Sequence, residues 1–194
     1  EGCSIKGVPF TRELLDDPNV IWIDIIVETR EKLIQGLSDK KFSAELIMRL
    51  LNPGQSFRLE RIKPYSLLDC NIGYNFTREN RNYITFIFAE NKLVTISTVH
   101  HHLSVQFIPE NIVNYMRSNS YHYVTLSIFA RIVDYNAKIV KEETKKVDNV
   151  LKASINNTLS EDIIEIEKLY NKVIDIAEIF QDQLTTVRLL PIAD

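Results

Sequence analysis

Apolar residues recur at alternating steps of three and four along two stretches of the chain. Leu126, Ala130, Val133, Ala137, Val140, Thr144, Val147 and Leu151 form the first series. Ile163, Ile166, Tyr170, Val173, Ala177, Phe180, Leu184 and Val187 form the second. This is the a/d period of a coiled-coil seam. Asn156-Asn157-Thr158 breaks the pattern between them. Ser160 is placed to cap the second helix, with Glu161 and Asp162 in its first turn, where the helix dipole favours acids. The pattern predicts an antiparallel hairpin of two long helices whose seams face each other.

The pattern before Tyr121 is different. Val20-Ile21-Trp22-Ile23-Asp24-Ile25-Ile26 is a near-continuous apolar run that predicts a strand buried on both faces. A helix pattern capped by Thr29 follows, with Leu33, Ile34 and Leu37 on its inner stripe. Ser43 is placed to cap a second short helix, Glu45 lies early in it, and Leu46, Ile47, Leu50 and Leu51 share one face. Pro53-Gly54 ends it.

Residues 57–98 predict β structure. Phe57, Leu59 and Ile62 open it, Pro64 interrupts pairing, and Leu67 to Tyr74 continues it. Residues 71–80 predict a loop. Tyr83 to Phe88, a turn at Glu90-Asn91, and Leu93 to Ile96 predict a hairpin. A helix is expected from Pro109 to about Arg117. The fold class expected is α/β: a mixed sheet flanked by helices over residues 1–120, then the helical hairpin over 121–194 as part of the same domain.

Composition narrows the function. With 23 Lys plus Arg against 26 Asp plus Glu, the net charge of -3 leaves no global basic footprint, so nucleic acid is not an expected partner. No apolar run reaches the roughly 18 residues of a membrane span. The first residue is Glu1, and the chain is expected to be a piece of a longer protein. Two cysteines, Cys3 and Cys70, make no CxxC pair and no disulfide framework. Cys70, among apolar strand residues, is expected to be a buried, inert thiol.

Candidate chemistry is sparse. His100-His101-His102 puts only His100 and His102 on one face of a strand, and His122 is 20 residues on. A metal-dependent enzyme using His100 and His102 is one reading of that run; a polar strand end or loop is the other. Asp24 interrupts a buried strand and is expected to be a hydrogen-bonded acid. Glu142, Glu143, Asp148, Glu161, Asp162, Glu165 and Glu167 lie outside the two apolar series. They read as solvated helix faces, paired in part with Lys138, Lys141, Lys145, Lys146 and Lys152. Clustered carboxylates also suit hard divalent cations. There is no P-loop, GxGxxG, GxSxG or HExxH, and no enzyme is expected.

Several local patterns then fall in one order. Val20-Ile21-Trp22-Ile23-Asp24-Ile25 resembles the "vvWIDl" strand of the CorA family of magnesium transporters, and the Thr29-led helix follows it as in that family. Phe42 to Leu51 resembles the family's "hplalEDil" helix, although Glu45 or Leu46-Ile47 stands where the family has its acidic pair. Arg58-Leu59-Glu60-Arg61 is near the place of "RPKve". Leu93 to His100 is similar to "flvTvh", Val133-Asp134-Tyr135 to "iVDdY", and Val147 to Leu151 to "iDaLE". The resemblance covers about residues 19–190.

The resemblance implies the cytoplasmic domain of a CorA-like membrane transporter for divalent ions, Mg²⁺ foremost, that senses cation and gates a pore. It implies a homopentamer of copies of the chain, completed by a stalk helix and two transmembrane helices absent from this sequence, as is the family's Gly-Met-Asn signature. It places the domain at the cytoplasmic side of the inner membrane. Asp148 matches the hairpin's family acid, and Glu79 is what stands in the place of the acidic segment before the later strands. These two are the metal-binding candidates, with Mg²⁺ as regulatory and transported ion. A zinc-transporting branch of the same superfamily fits nearly as well. A soluble α/β protein that binds a partner through its coiled-coil hairpin is the remaining alternative.

Overall fold

Five strands form one sheet: Trp22–Val27 (β1), Glu60–Ile62 (β2), Tyr65–Asn71 (β3), Tyr83–Ala89 (β4) and Lys92–Thr98 (β5), in the order β1-β5-β4-β3-β2. The computed structural model describes residues 12–29, 32–33, 37, 42–53, 59–72, 83–98, 121–154 and 160–190. The helices are Arg12–Asp16 (α1), Ala44–Leu51 (α2), Tyr121–Ser154 (α3) and Ser160–Leu189 (α4). The stretches 73–82 and 99–120 lie outside the described residues. The loop and Pro109 helix expected there, His100 and His102, and Glu79 therefore lie outside them too, as does most of the helix expected after Thr29.

The sheet is mixed because β1 pairs parallel to β5, with Asp24 opposite Thr95, while every other pair is antiparallel. The β4–β5 hairpin turns at Glu90-Asn91, as its sequence predicts. Pro64 sits in the turn between β2 and β3, where its missing N–H costs the ladder nothing. The expectation for β1 is corrected. Among the described residues it is an edge strand, and its burial alternates rather than covering both faces. Ile23 and Ile25 are buried, whereas Trp22 and Asp24 alternate to a half-covered face.

Side chains from the two faces of the sheet make two cores. On one face Ile23, Ile25, Leu67, Ile87, Val94 and Ile96 pack with Leu33, Leu37, Phe42, Leu46 and Leu50. The α2 side of that core forms because Leu46 and Leu50 are one turn apart on one face. Its start is fixed by Ser43, whose Oγ accepts from the Leu46 N–H at 3.2 Å. On the opposite face Leu68, Cys70, Ile84, Phe86 and Leu93 pack with Val124, Ile128, Phe129, Ile132 and Leu190. Phe86 and Phe129 stack at 5.0 Å between ring centroids. The sheet is thus covered on both faces, and the long helices share its core.

The helical hairpin is present, starting at Tyr121 and resuming at Ser160 as the pattern predicts. At 1.5 Å per residue its arms are about 50 and 45 Å long. Its seam is not the predicted one. The buried lines are Thr125, Ile128, Ile132, Asn136 and Glu143 on α3, and Ile176, Ile179, Gln183, Thr186 and Leu190 along α4 and just past its end. The predicted series face outward for most of their length: Leu126, Val133, Leu151, Tyr170, Val173 and Leu184 are all exposed. The observed seam lies one residue, or about 100° of helix, before the predicted one. A count of apolar side chains misses it because several of its members are polar. Gln183 is accommodated by a bond to the sheet, Thr186 by the bond from its hydroxyl to the Asp182 carbonyl of its own helix, and Glu143 by an ion pair with α4.

Candidate functional site

Polar groups enter the described interior at three places. The first joins α2 to the sheet. Arg49 donates from Nη2 to Asp69 Oδ2 at 2.7 Å and from Nε to Glu60 Oε2 at 2.5 Å. Thr85 Oγ1 donates to the other oxygen of Asp69 at 2.7 Å. Asp69 is wholly buried, so its charge depends on these donors. Burial acts to lower the Arg49 pKa, but the facing Asp69 and Glu60 carboxylates outweigh it and hold the guanidinium charged more firmly than usual. Sequence reasoning singled out neither Arg49 nor Asp69. The available signal was an acid in the apolar strand Leu67-Leu68-Asp69-Cys70.

The second place is the β1–β5 pair. Trp22 Nε1 donates to Thr95 Oγ1 at 3.0 Å, and Thr95 donates in turn to Asp24 Oδ1 at 2.6 Å. Asp24 is thus a hydrogen-bonded strand acid, as expected. Its register opposite Thr95 makes the chain of three possible.

The third place is the hairpin seam. Glu143 receives Lys146 at 2.7 Å from its own helix and Lys172 at 2.9 Å from α4. Burial works against its charge, but the two ammonium donors prevail and hold its carboxyl below the usual range. The reading of Glu143 as a solvated acid is corrected here, since its side chain is only 8% exposed. Gln183 donates to the Asn71 carbonyl at 2.8 Å, while the Thr186 hydroxyl donates to the Asp182 carbonyl of its own helix at 2.8 Å and lies 3.4 Å from the Asp69 carbonyl. The Gln183 bond ties α4 to β3. Asn136 is buried, and neither polar atom of its amide finds a partner among the described residues.

Of the two sequence-predicted site residues, Glu79 lies outside the described residues. Asp148 stands on α3, exposed. Among the described residues no group of three or more His, Cys, Asp or Glu could hold a metal ion. His122 lies at the start of α3 against the Tyr121 ring. Cys70 is buried in the core facing the hairpin, and desolvation by its surroundings pushes the thiol well above the usual range, as an inert cysteine requires. No described helix is long and apolar enough to cross a membrane.

The assembled geometry is similar to solved structures. The soluble domain of CorA from Methanocaldococcus jannaschii matches over 90% of this chain and 83% of its own, with a TM-score of 0.61 and 12% identity. The ZntB cytoplasmic domain from Vibrio parahaemolyticus RIMD 2210633 matches over 86% of this chain and 67% of its own, with a TM-score of 0.62 and 11% identity. No protein-family model matches the chain, and no curated protein does. The chain has the fold of these domains: a mixed sheet between helices, followed by two long helices.

Proposed function

We propose that this chain is the cation-responsive cytoplasmic part of a CorA-like transporter of divalent metal ions. The observation that supports the reading is the fold likeness over 90% of the chain. It agrees with the order in which the Trp22-Ile23-Asp24 strand, the helix of residues 42–51, the β5 strand and the Val133-Asp134 segment follow one another in the sequence. The domain carries no chemistry of its own in this reading and is not an enzyme.

In the proposed mechanism a divalent cation neutralises acids at a boundary between subunits and holds one arrangement of them. Loss of the cation restores repulsion between the acids and releases that arrangement. The bias equals the difference in cation affinity between the two states. Asp148 is the described residue offered for this role, because it is exposed on the long helix and lies outside the hairpin seam. One carboxylate does not make a hard-cation site. Its remaining ligands come from a neighbouring copy or from the stalk helix that the resemblance implies, and Glu79 is the other acid put forward. The assembly in this reading is five copies around a pore.

Mg²⁺ is the first candidate ion. The likeness to the ZntB domain is as strong as that to the CorA domain, so Zn²⁺, as in a zinc-transporting branch, is the second.

Limited proteolysis tests the reading. Trypsin should cut the chain more slowly in millimolar Mg²⁺ than in chelator, and Asp148→Asn should remove most of that difference. Equal protection in wild type and Asp148→Asn would take Asp148 out of the site.

A further inference from the structure

Two ladders of residues cross the helical hairpin with the same heptad steps. Counted from the Glu143–Lys172 contact, the observed ladder sets Ile139 level with Ile176 and Asn136 level with Ile179. The second lies one residue further along both helices: Val140 with Ala177, Thr144 with Val173, and Val147 with Tyr170. It climbs four and then three residues on α3 and descends four and then three on α4, so its members match rung by rung.

The two ladders differ in chemistry. The occupied seam encloses the Glu143–Lys172 ion pair and the Asn136 amide, whose polar atoms have no partner among the described residues. Both carry a desolvation cost. The second ladder is apolar but for Thr144 and the Tyr170 hydroxyl, and much of it faces out: Tyr170 is 64% exposed, Val173 50% and Leu151, its next rung, 48%. Facing these stripes toward each other would remove that apolar surface from water.

Passing from one ladder to the other turns each helix by about 100°. In an antiparallel pair both stripes lie on the same side of the seam, so the two helices roll inward in opposite senses. They also slide past one another by about 3 Å, one residue of rise on each. The base of the hairpin is held, because Val124, Ile128, Phe129 and Ile132 pack in the sheet core and Gln183 bonds to β3. The change is therefore confined to the arms beyond Asn136 and Ile179. There α3 takes up one residue, as in a π-turn, and α4 gives one up in a tighter 3₁₀ turn. Asn136 stands at that level, with an amide able to bond the backbone groups that such a turn releases.

We propose that the arms of the hairpin hold two registers: the observed one, latched by the Glu143–Lys172 ion pair, and a second in which Val140, Thr144 and Val147 meet Ala177, Val173 and Tyr170. The change buries the apolar stripes and turns Glu143 and Lys172 out of the seam. A ligand that binds the arms better in one register selects it. The inference rests on the two ladders within one chain and is independent of the cation reading.

Disulfides within one chain read the register, in a Cys3→Ser background that leaves the buried Cys70. Level residues that face across a seam come within disulfide range, whereas those flanking it are about 8–10 Å apart, too far to bridge. Ile139→Cys with Ile176→Cys reports the observed register, and Val140→Cys with Ala177→Cys the second. Glu142→Cys with Asn171→Cys is the control, flanking the observed seam on its other side. In dilute chain oxidised by glutathione, the second pair should close at least about tenfold faster than the control, and the first pair should close as well. Val173→Asp, at an exposed position, should slow the second pair at least about tenfold and leave the first unchanged, because only the second register buries that carboxylate. Glu143→Lys, which sets like charges together at the latch, should speed it. Three results would overturn the proposal: a second pair no faster than the control, a second pair indifferent to Val173→Asp, or a first pair that never closes. None of these outcomes bears on protection by Mg²⁺, which the proteolysis experiment reads separately.

Discussion

Glu143 of α3 and Lys172 of α4 meet at 2.9 Å inside the helical seam. An acid beside the Lys145-Lys146 pair reads in sequence as a solvated charge. Here it is the point at which the two long helices are locked in register. Truncating it leaves Lys172 without this partner and opens a polar gap in the seam. Glu143→Ala is expected to lower unfolding stability by about 1–3 kcal/mol in urea melts.

The same residue gives a pH dependence of known sign. Its carboxyl titrates lower in the folded chain than in the unfolded one. Its contribution is therefore complete above the unfolded value, near about 4.3, and is lost as pH falls through the lower folded value. Glu143→Gln should flatten the fall of stability with pH in that acid window and leave the slope in the neutral range unchanged.

Arg49 anchors α2 to β2 and β3 through two carboxylates, one of them fully buried. Removing only the cation strands the Asp69 charge. Arg49→Met is expected to cost about 3–5 kcal/mol. Arg49→Met combined with Asp69→Leu should cost less than the sum of the two single changes, because the double change leaves no uncompensated buried charge. A double-mutant cycle by chemical denaturation measures the coupling.

Asn136 points the other way. It is buried with both amide atoms unpartnered among the described residues, so no described group offsets the desolvation of its amide. Leucine is similar in length and apolar. Asn136→Leu is expected to raise stability by about 1–3 kcal/mol, seen as a higher melting temperature.

These residues mark where sequence and structure part. Elements driven by local signals were legible: the Ser43 cap and its Leu46/Leu50 face, the β4–β5 hairpin around Glu90-Asn91, and the starts of both long helices. The resemblance built on Trp22-Ile23-Asp24 and its followers led to the fold that the structural comparisons bear out. The helix seam was misplaced because Glu143, Gln183, Thr186 and Asn136 are buried polar residues. A hydrophobic count assigns such residues to solvent, and only the surrounding elements reveal otherwise. Asp69 was missed for the same reason, since the guanidinium that makes its burial tolerable lies 20 residues away in sequence. The edge position of β1 depends on which strand sits beside it, and no pattern within residues 20–26 encodes that.

The central claim is that this chain responds to a divalent cation, and thermal melting of the wild-type chain against Mg²⁺, Zn²⁺ and Ca²⁺ tests it most directly. A ligand held only by the folded state stabilises it by about 2.7 kcal/mol at a hundred times its dissociation constant. For a chain of this size that corresponds to roughly 5–10 °C. A rise of that order in millimolar Mg²⁺, or in Zn²⁺ at lower concentration, reduced in Asp148→Asn, is the predicted result. A melting temperature unmoved by all three ions would contradict the claim.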